Sequence, residues 1–133
     1  MHRVTELFPG LGHLSRVWVT DAARTDYEDV PEPVKIIFKA TAAKGFFGRH
    51  MHNEGKGFLG FAVGNGTDRI TGWFDHPITR AEFFVGGAWS GKSGSSKRPK
   101  SAKRVMKRLE AMKSEGVCFP NGQSNPPPRT KAQ

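Results

Sequence analysis

Apolar positions repeat along this chain with two periods. Between Lys97 and Gly116 (KRPKSAKRVMKRLEAMKSEG), Ala102, Val105, Met106, Leu109 and Met112 recur at helical spacing and form one stripe. Lys100, Lys103, Arg104, Lys107, Arg108 and Lys113 fall on the remaining faces. The segment predicts an amphipathic basic helix over residues 97–116. Ser96 or Ser101 is placed to cap it, Pro99 fits only a first turn, and Gly116 is placed to end it in a left-handed conformation.

Elsewhere the period is two, or the composition is β-branched and aromatic. Strands are predicted at Arg16–Thr20 (RVWVT), Val34–Ala40 (VKIIFKA), Gly57–Val63 (GFLGFAV), Arg69–Phe74 (RITGWF) and Ala81–Val85 (AEFFV). Asn65-Gly66 carries a hairpin signal, and turns are expected at His52–Gly55 and Asp75–Pro77. Met1–Leu14 reads as irregular. Asp21–Glu32, closed by Pro31 and Pro33, reads as one helical turn or a solvated loop. Phe38, Phe74 and Phe83 are assigned to the core, and Gly60 and Gly72 to bulges or close backbone approaches.

Short strands joined by turn residues predict an α+β domain over residues 1–116. Its parts are a small antiparallel sheet of four to five strands at about 14–85, a linker at 86–96 and one C-terminal basic helix covering the sheet. Residues 117–133 read as an extended or disordered tail.

At 133 residues the chain can bury a core unaided. Its one cysteine, Cys118, excludes an internal disulfide and suits a buried thiol in a reducing, cytoplasmic setting. Neither a signal peptide nor a membrane span is expected, because no apolar run is long enough. Charge changes the picture more. Residues 1–33 carry a net −3, residues 34–96 a net +4 and residues 97–133 a net +8. Such asymmetry points to an anionic partner at one end of the fold.

Four patterns offer chemistry. Gly86–Ser93 (GGAWSGKS) satisfies the phosphate-loop spacing, but that loop needs a helix directly behind it, and Gly-Ser-Ser follows instead. No later strand supplies an aspartate for magnesium, so nucleotide hydrolysis is not expected. Lys44-Gly-Phe-Phe-Gly48 and Lys56-Gly-Phe-Leu-Gly-Phe61 combine lysine with strand phenylalanines, the composition of base-stacking surfaces. Leu59 puts Phe61 on the face opposite Phe58, so neither the RNA-recognition nor the cold-shock family is assigned. His50 and His52, with Asp75-His76, offer imidazole and carboxylate ligands for a metal-dependent nuclease, yet no third ligand is fixed.

The basic helix is the strongest pattern, since Glu110 is the only acid between Lys97 and Lys113. The expected function is non-enzymatic nucleic-acid binding, DNA or RNA, without a cofactor or metal. Lys97, Arg98, Lys100, Lys103, Arg104, Lys107 and Arg108 would meet phosphates, and Lys44, Lys56, Phe46 and Phe58 would extend the surface. The alternative is a small regulator or inhibitor that docks on a protein, such as one that itself handles nucleic acid.

Overall fold

The computed structural model describes residues 1–46, 50–64, 66–90, 100–122 and 124–125. In chain order its elements are strands β1 (His2–Arg3), β2 (Thr5–Glu6) and β3 (Arg16–Val19), then helices α1 (Asp21–Glu28) and α2 (Glu32–Ala43). Strands β4 (Met51–Gly55), β5 (Phe58–Phe61), β6 (Asp68–Phe74) and β7 (Glu82–Ser90) follow. Helix α3 (Lys100–Glu115) and strands β8 (Val117–Cys118) and β9 (Ser124–Asn125) complete it. The class is α+β, but the sheet is larger and less uniform than expected. Six strands lie in the order β2-β3-β7-β6-β5-β4, with β3 and β7 parallel and the other neighbours antiparallel.

Among the described residues three helices stand where one was expected. Thr20 caps α1, its hydroxyl accepting from the Ala23 N–H at 3.2 Å, so the acidic segment is helical rather than a loop. Val34–Ala40, expected as a strand, lies inside α2. Val34, Ile37, Phe38, Thr41 and Ala42 fit a helical stripe as well as alternate residues fit a strand. Pro31 and Pro33 decide between them, because they sit at the N-cap and first turn of a helix. Ile36, which the strand would bury, is 59% exposed.

Other boundaries move for local reasons. His52–Gly55 belongs to β4, and the turn falls one step later, where Gly55, Lys56 and Gly57 all have positive φ. The irregular N-terminus contributes β1 and β2, and the expected tail begins as β8, which pairs parallel with β1 and antiparallel with β9. Cys118 is half-buried there. Phe119 packs edge-on against Trp18, ring centroids 4.7 Å apart. Ser101 lies inside α3 rather than capping it, and Gly116, at φ +91°, ends the helix as expected. Asn65 lies outside the described residues.

The sheet separates two apolar clusters. On one side Val17, Val19, Phe61, Ile70, Phe83 and Val85 meet Ala23 and Tyr27 of α1 and Phe38 and Ala42 of α2. Phe38 and Phe83 are fully buried there and Phe74 packs at the margin. On the other side Trp18, Phe58, Trp73, Phe84 and Trp89 receive Ala102, Val105, Leu109 and Met112 of α3.

The seat of α3 is built from the segment read as a linker. Gly86–Ser90 continues β7, and a register shift opposite Thr71/Gly72 leaves Gly86 as the extra residue. A Cβ on Gly86 would collide with Leu109, and one on Gly87 would meet Val105 and Asp26 at 2.8 Å. Two glycines therefore let the helix approach the strand backbone. Burying Val105, Leu109 and Met112 contributes about 1.5–3 kcal/mol each, against at most about 1 kcal/mol for an exposed ion pair. The apolar stripe holds the helix down and its outer charges remain available.

Candidate nucleic-acid interface

The basic residues of α3 point in different directions. Lys100, Lys103 and Lys107 are exposed. At 3.6 residues per turn they fall within an arc of about 60° opposite the apolar stripe. Among the described residues none of the three pairs with a carboxylate. Lys113 instead lies over the Phe58 ring, 5.3 Å from its centroid.

Arg108 points the other way. Its Nη1 donates to Asp26 Oδ2 at 2.8 Å and to the Gly86 carbonyl at 3.0 Å, with 20% of its side chain exposed. It is a tie between α1, β7 and α3, which removes it from the phosphate surface expected of it. Arg104 is shared, 3.5 Å from Asp26 yet 55% exposed. The acidic N-terminal segment thus neutralises one flank of the helix.

A groove of about 280 Å³ runs along the remaining flank, lined by Glu54, Lys56, Ala102, Lys103, Met106, Lys107 and Glu110. Lys56 bridges it, its Nζ 2.8 Å from Glu110 Oε1. Glu54 lies 8% exposed, with Oε2 3.3 Å from Arg69 Nε, and Arg69 also donates to the Gly66 carbonyl at 2.7 Å. Register places His52, Gly60, Thr71 and Gly87 in one row across β4, β5, β6 and β7. Thr71 Oγ1 and His52 Nε2 are buried without a hydrogen-bond partner.

The other expected contributors are elsewhere. Lys44 is exposed but ends α2, across the sheet from α3. Phe46 is fully buried at φ +56°, and Phe58 is 2% exposed beneath α3, so neither ring can meet a base. Lys97 and Arg98 lie outside the described residues, as do Phe47 and Gly48.

The first five residues of the phosphate-loop pattern, Gly86–Ser90, are extended strand rather than a loop, while Gly91, Lys92 and Ser93 lie outside the described residues. His50 Nδ1 is buried without a partner and its ring packs on Phe61, while His76 Nδ1 accepts from the Ile78 and Thr79 N–H groups in its own turn. Among the described residues no three His, Cys, Asp or Glu side chains gather to hold a metal ion, and no helix is long and apolar enough to cross a membrane.

A second opening, about 310 Å³, lies between β3, the start of β7 and residues 119–121, lined by Arg16, Trp18, Glu82, Phe119, Pro120 and Asn121. Burial, then the Asp75 charge, push the Glu82 carboxyl above its ordinary value, while Arg16 and the Trp18 indole act against the shift. The indole N–H favours the nearby carboxylate but does not reach hydrogen-bond geometry, so it is a buried donor without an acceptor.

Exposed lysines on α3 were legible from periodicity. Asp26, Glu54 and Arg69 were not, because no local pattern shows which strand or helix they will face. No protein-family model matches this chain, and no curated protein or solved structure does either.

Proposed function

We propose that this chain binds nucleic acid without catalysing a reaction, holding backbone phosphates on the outer arc of α3. The observation that carries the reading is the arc of Lys100, Lys103 and Lys107, exposed and without carboxylate partners among the described residues. Arg104 extends the arc on one flank, and Lys56 stands across the groove on the other. Lysine contacts with phosphate give affinity with little sequence preference and release counterions. The same cations would also suit an acidic protein surface, which is the competing reading.

The test is the triple substitution Lys100→Gln, Lys103→Gln and Lys107→Gln. It leaves the apolar stripe and the Arg108–Asp26 tie intact, so the fold should survive by circular dichroism. Binding to nucleic acid should weaken, and the slope of log affinity against log salt should become shallower by about 2–3. Unchanged affinity and slope in a folded variant would remove the helix from the interface.

A further inference from the structure

Helix α2 is apolar on two opposite sides. Phe38 and Ala42 are buried in the core, with Val34 and Ile37 half-buried beside them. The reverse side carries Pro33, Ile36, Ala40 and Ala43, all of them exposed. At 3.6 residues per turn these four fall within an arc of about 80° that points away from the sheet. A surface helix ordinarily turns polar residues outward, so an outward apolar stripe marks a contact face. Leu14 and Ile78 stand at the C-terminal end of the same helix, and like Ile36 each is more than half exposed. Ser15 fixes them there, its N–H donating to the Ala42 carbonyl at 3.1 Å and its hydroxyl to the Arg80 carbonyl at 2.7 Å.

The charges beside this stripe are sorted by end. Glu28, Asp29 and Glu32 are exposed around the N-terminal end of α2. Lys35 offsets one of them, its Nζ 3.7 Å from Glu32 Oε2 and 3.0 Å from the Glu28 carbonyl. Lys39 and Lys44 are exposed toward the C-terminal end, and among the described residues neither pairs with a carboxylate. Two copies of α2 laid antiparallel bring unlike ends together, whereas a parallel pair brings like ends together. Ala40 and Ala43 leave room for the backbones to approach, so Ile36 of one copy fills the space over Ala40 of the other. One patch serves both copies, as a two-fold interface requires.

We propose that α2 is a self-association surface on which two copies of this chain pair antiparallel. Helices α2 and α3 lie on opposite sides of the sheet, so the pair turns its two lysine arcs outward on opposite faces. Combined with the phosphate-binding reading, this lets one pair hold two separate nucleic-acid segments, although the pairing itself does not depend on that reading. A single helix face makes a small interface, so the association is reversible.

The test is sedimentation equilibrium of the full chain without nucleic acid, from about 1 to 300 µM protein. Salt is held at about 150 mM, where only charges within about 8 Å are felt. The mass should rise from one chain to two with concentration. Ile36→Glu changes an exposed side chain, so it should keep its fold by circular dichroism and weaken pairing at least roughly tenfold. Lys44→Glu should also weaken pairing, because it sets an acid opposite the acidic end of the second copy. An immobilised DNA duplex should retain a second, labelled duplex when the parent chain is added, but not when Ile36→Glu is added. A one-chain mass throughout, or a two-chain mass that Ile36→Glu leaves unchanged, overturns the inference and leaves the stripe to an unlike partner. Tighter pairing in Lys44→Glu overturns the antiparallel arrangement. A parent chain that pairs as expected but binds no nucleic acid supports the surface and removes the phosphate reading.

Discussion

Arg108 and Lys107 are adjacent in sequence and do different work. Lys107 faces outward, while Arg108 is committed to Asp26 and the Gly86 carbonyl. Removing Arg108 leaves the largely buried Asp26 with only the longer, 3.5 Å contact to Arg104 and the Gly86 carbonyl without this donor. Arg108→Gln should therefore lose about 1–3 kcal/mol of stability in urea unfolding, where an outward lysine changed to Gln should shift it by no more than about 0.5 kcal/mol. Equal midpoints for the two variants would contradict the division of roles. Phe46→Ala should cost about 3–5 kcal/mol, because the ring is fully buried against Phe38, Phe74 and Phe83. Glu82 gives a pH signature. Its folded-state value is raised above 4.5, so its contribution to stability is present below that pH and is lost as pH rises through the folded value. Glu82→Gln cannot ionise, so its stability relative to the parent chain should improve between about pH 4 and pH 7. Urea midpoints that differ by a constant amount at both values would refute this.

At the scale of elements, the Gly86-Gly87 pair matters most to the placement of the basic surface. Gly86→Ala forces a methyl against Leu109 and should cost about 1–3 kcal/mol, read as a lowered urea midpoint. The same dipeptide shows where sequence reading stops. Glycines followed by a serine-rich run look like a linker, and only the folded chain shows that they continue β7 and that their missing side chains make space for Val105 and Leu109 of α3. Val34–Ala40 misleads differently. Its apolar residues satisfy both periods, and the prolines before it favour a helix start over a strand. Helix α3 was legible because period, charge and the closing Gly116 agree over its whole length. The outer lysines followed from that legibility. Glu54 did not, since its burial depends on Gly60 and Arg69 of neighbouring strands.

For the whole molecule, charge is sorted by layer. The acidic N-terminal segment becomes α1 and lends Asp26 to one flank of α3. The apolar stripe takes the inner face and the lysine arc is left outward. Three cations, Lys100, Lys103 and Lys107, are thereby gathered on one exposed helix face. The most direct test of this account is the affinity of the full chain for labelled single- and double-stranded DNA and RNA, measured by anisotropy from about 50 to 200 mM salt. With about four phosphates contacted, affinity should fall by roughly two orders of magnitude across that range. Absence of binding to all four nucleic acids, or binding indifferent to salt, would contradict it.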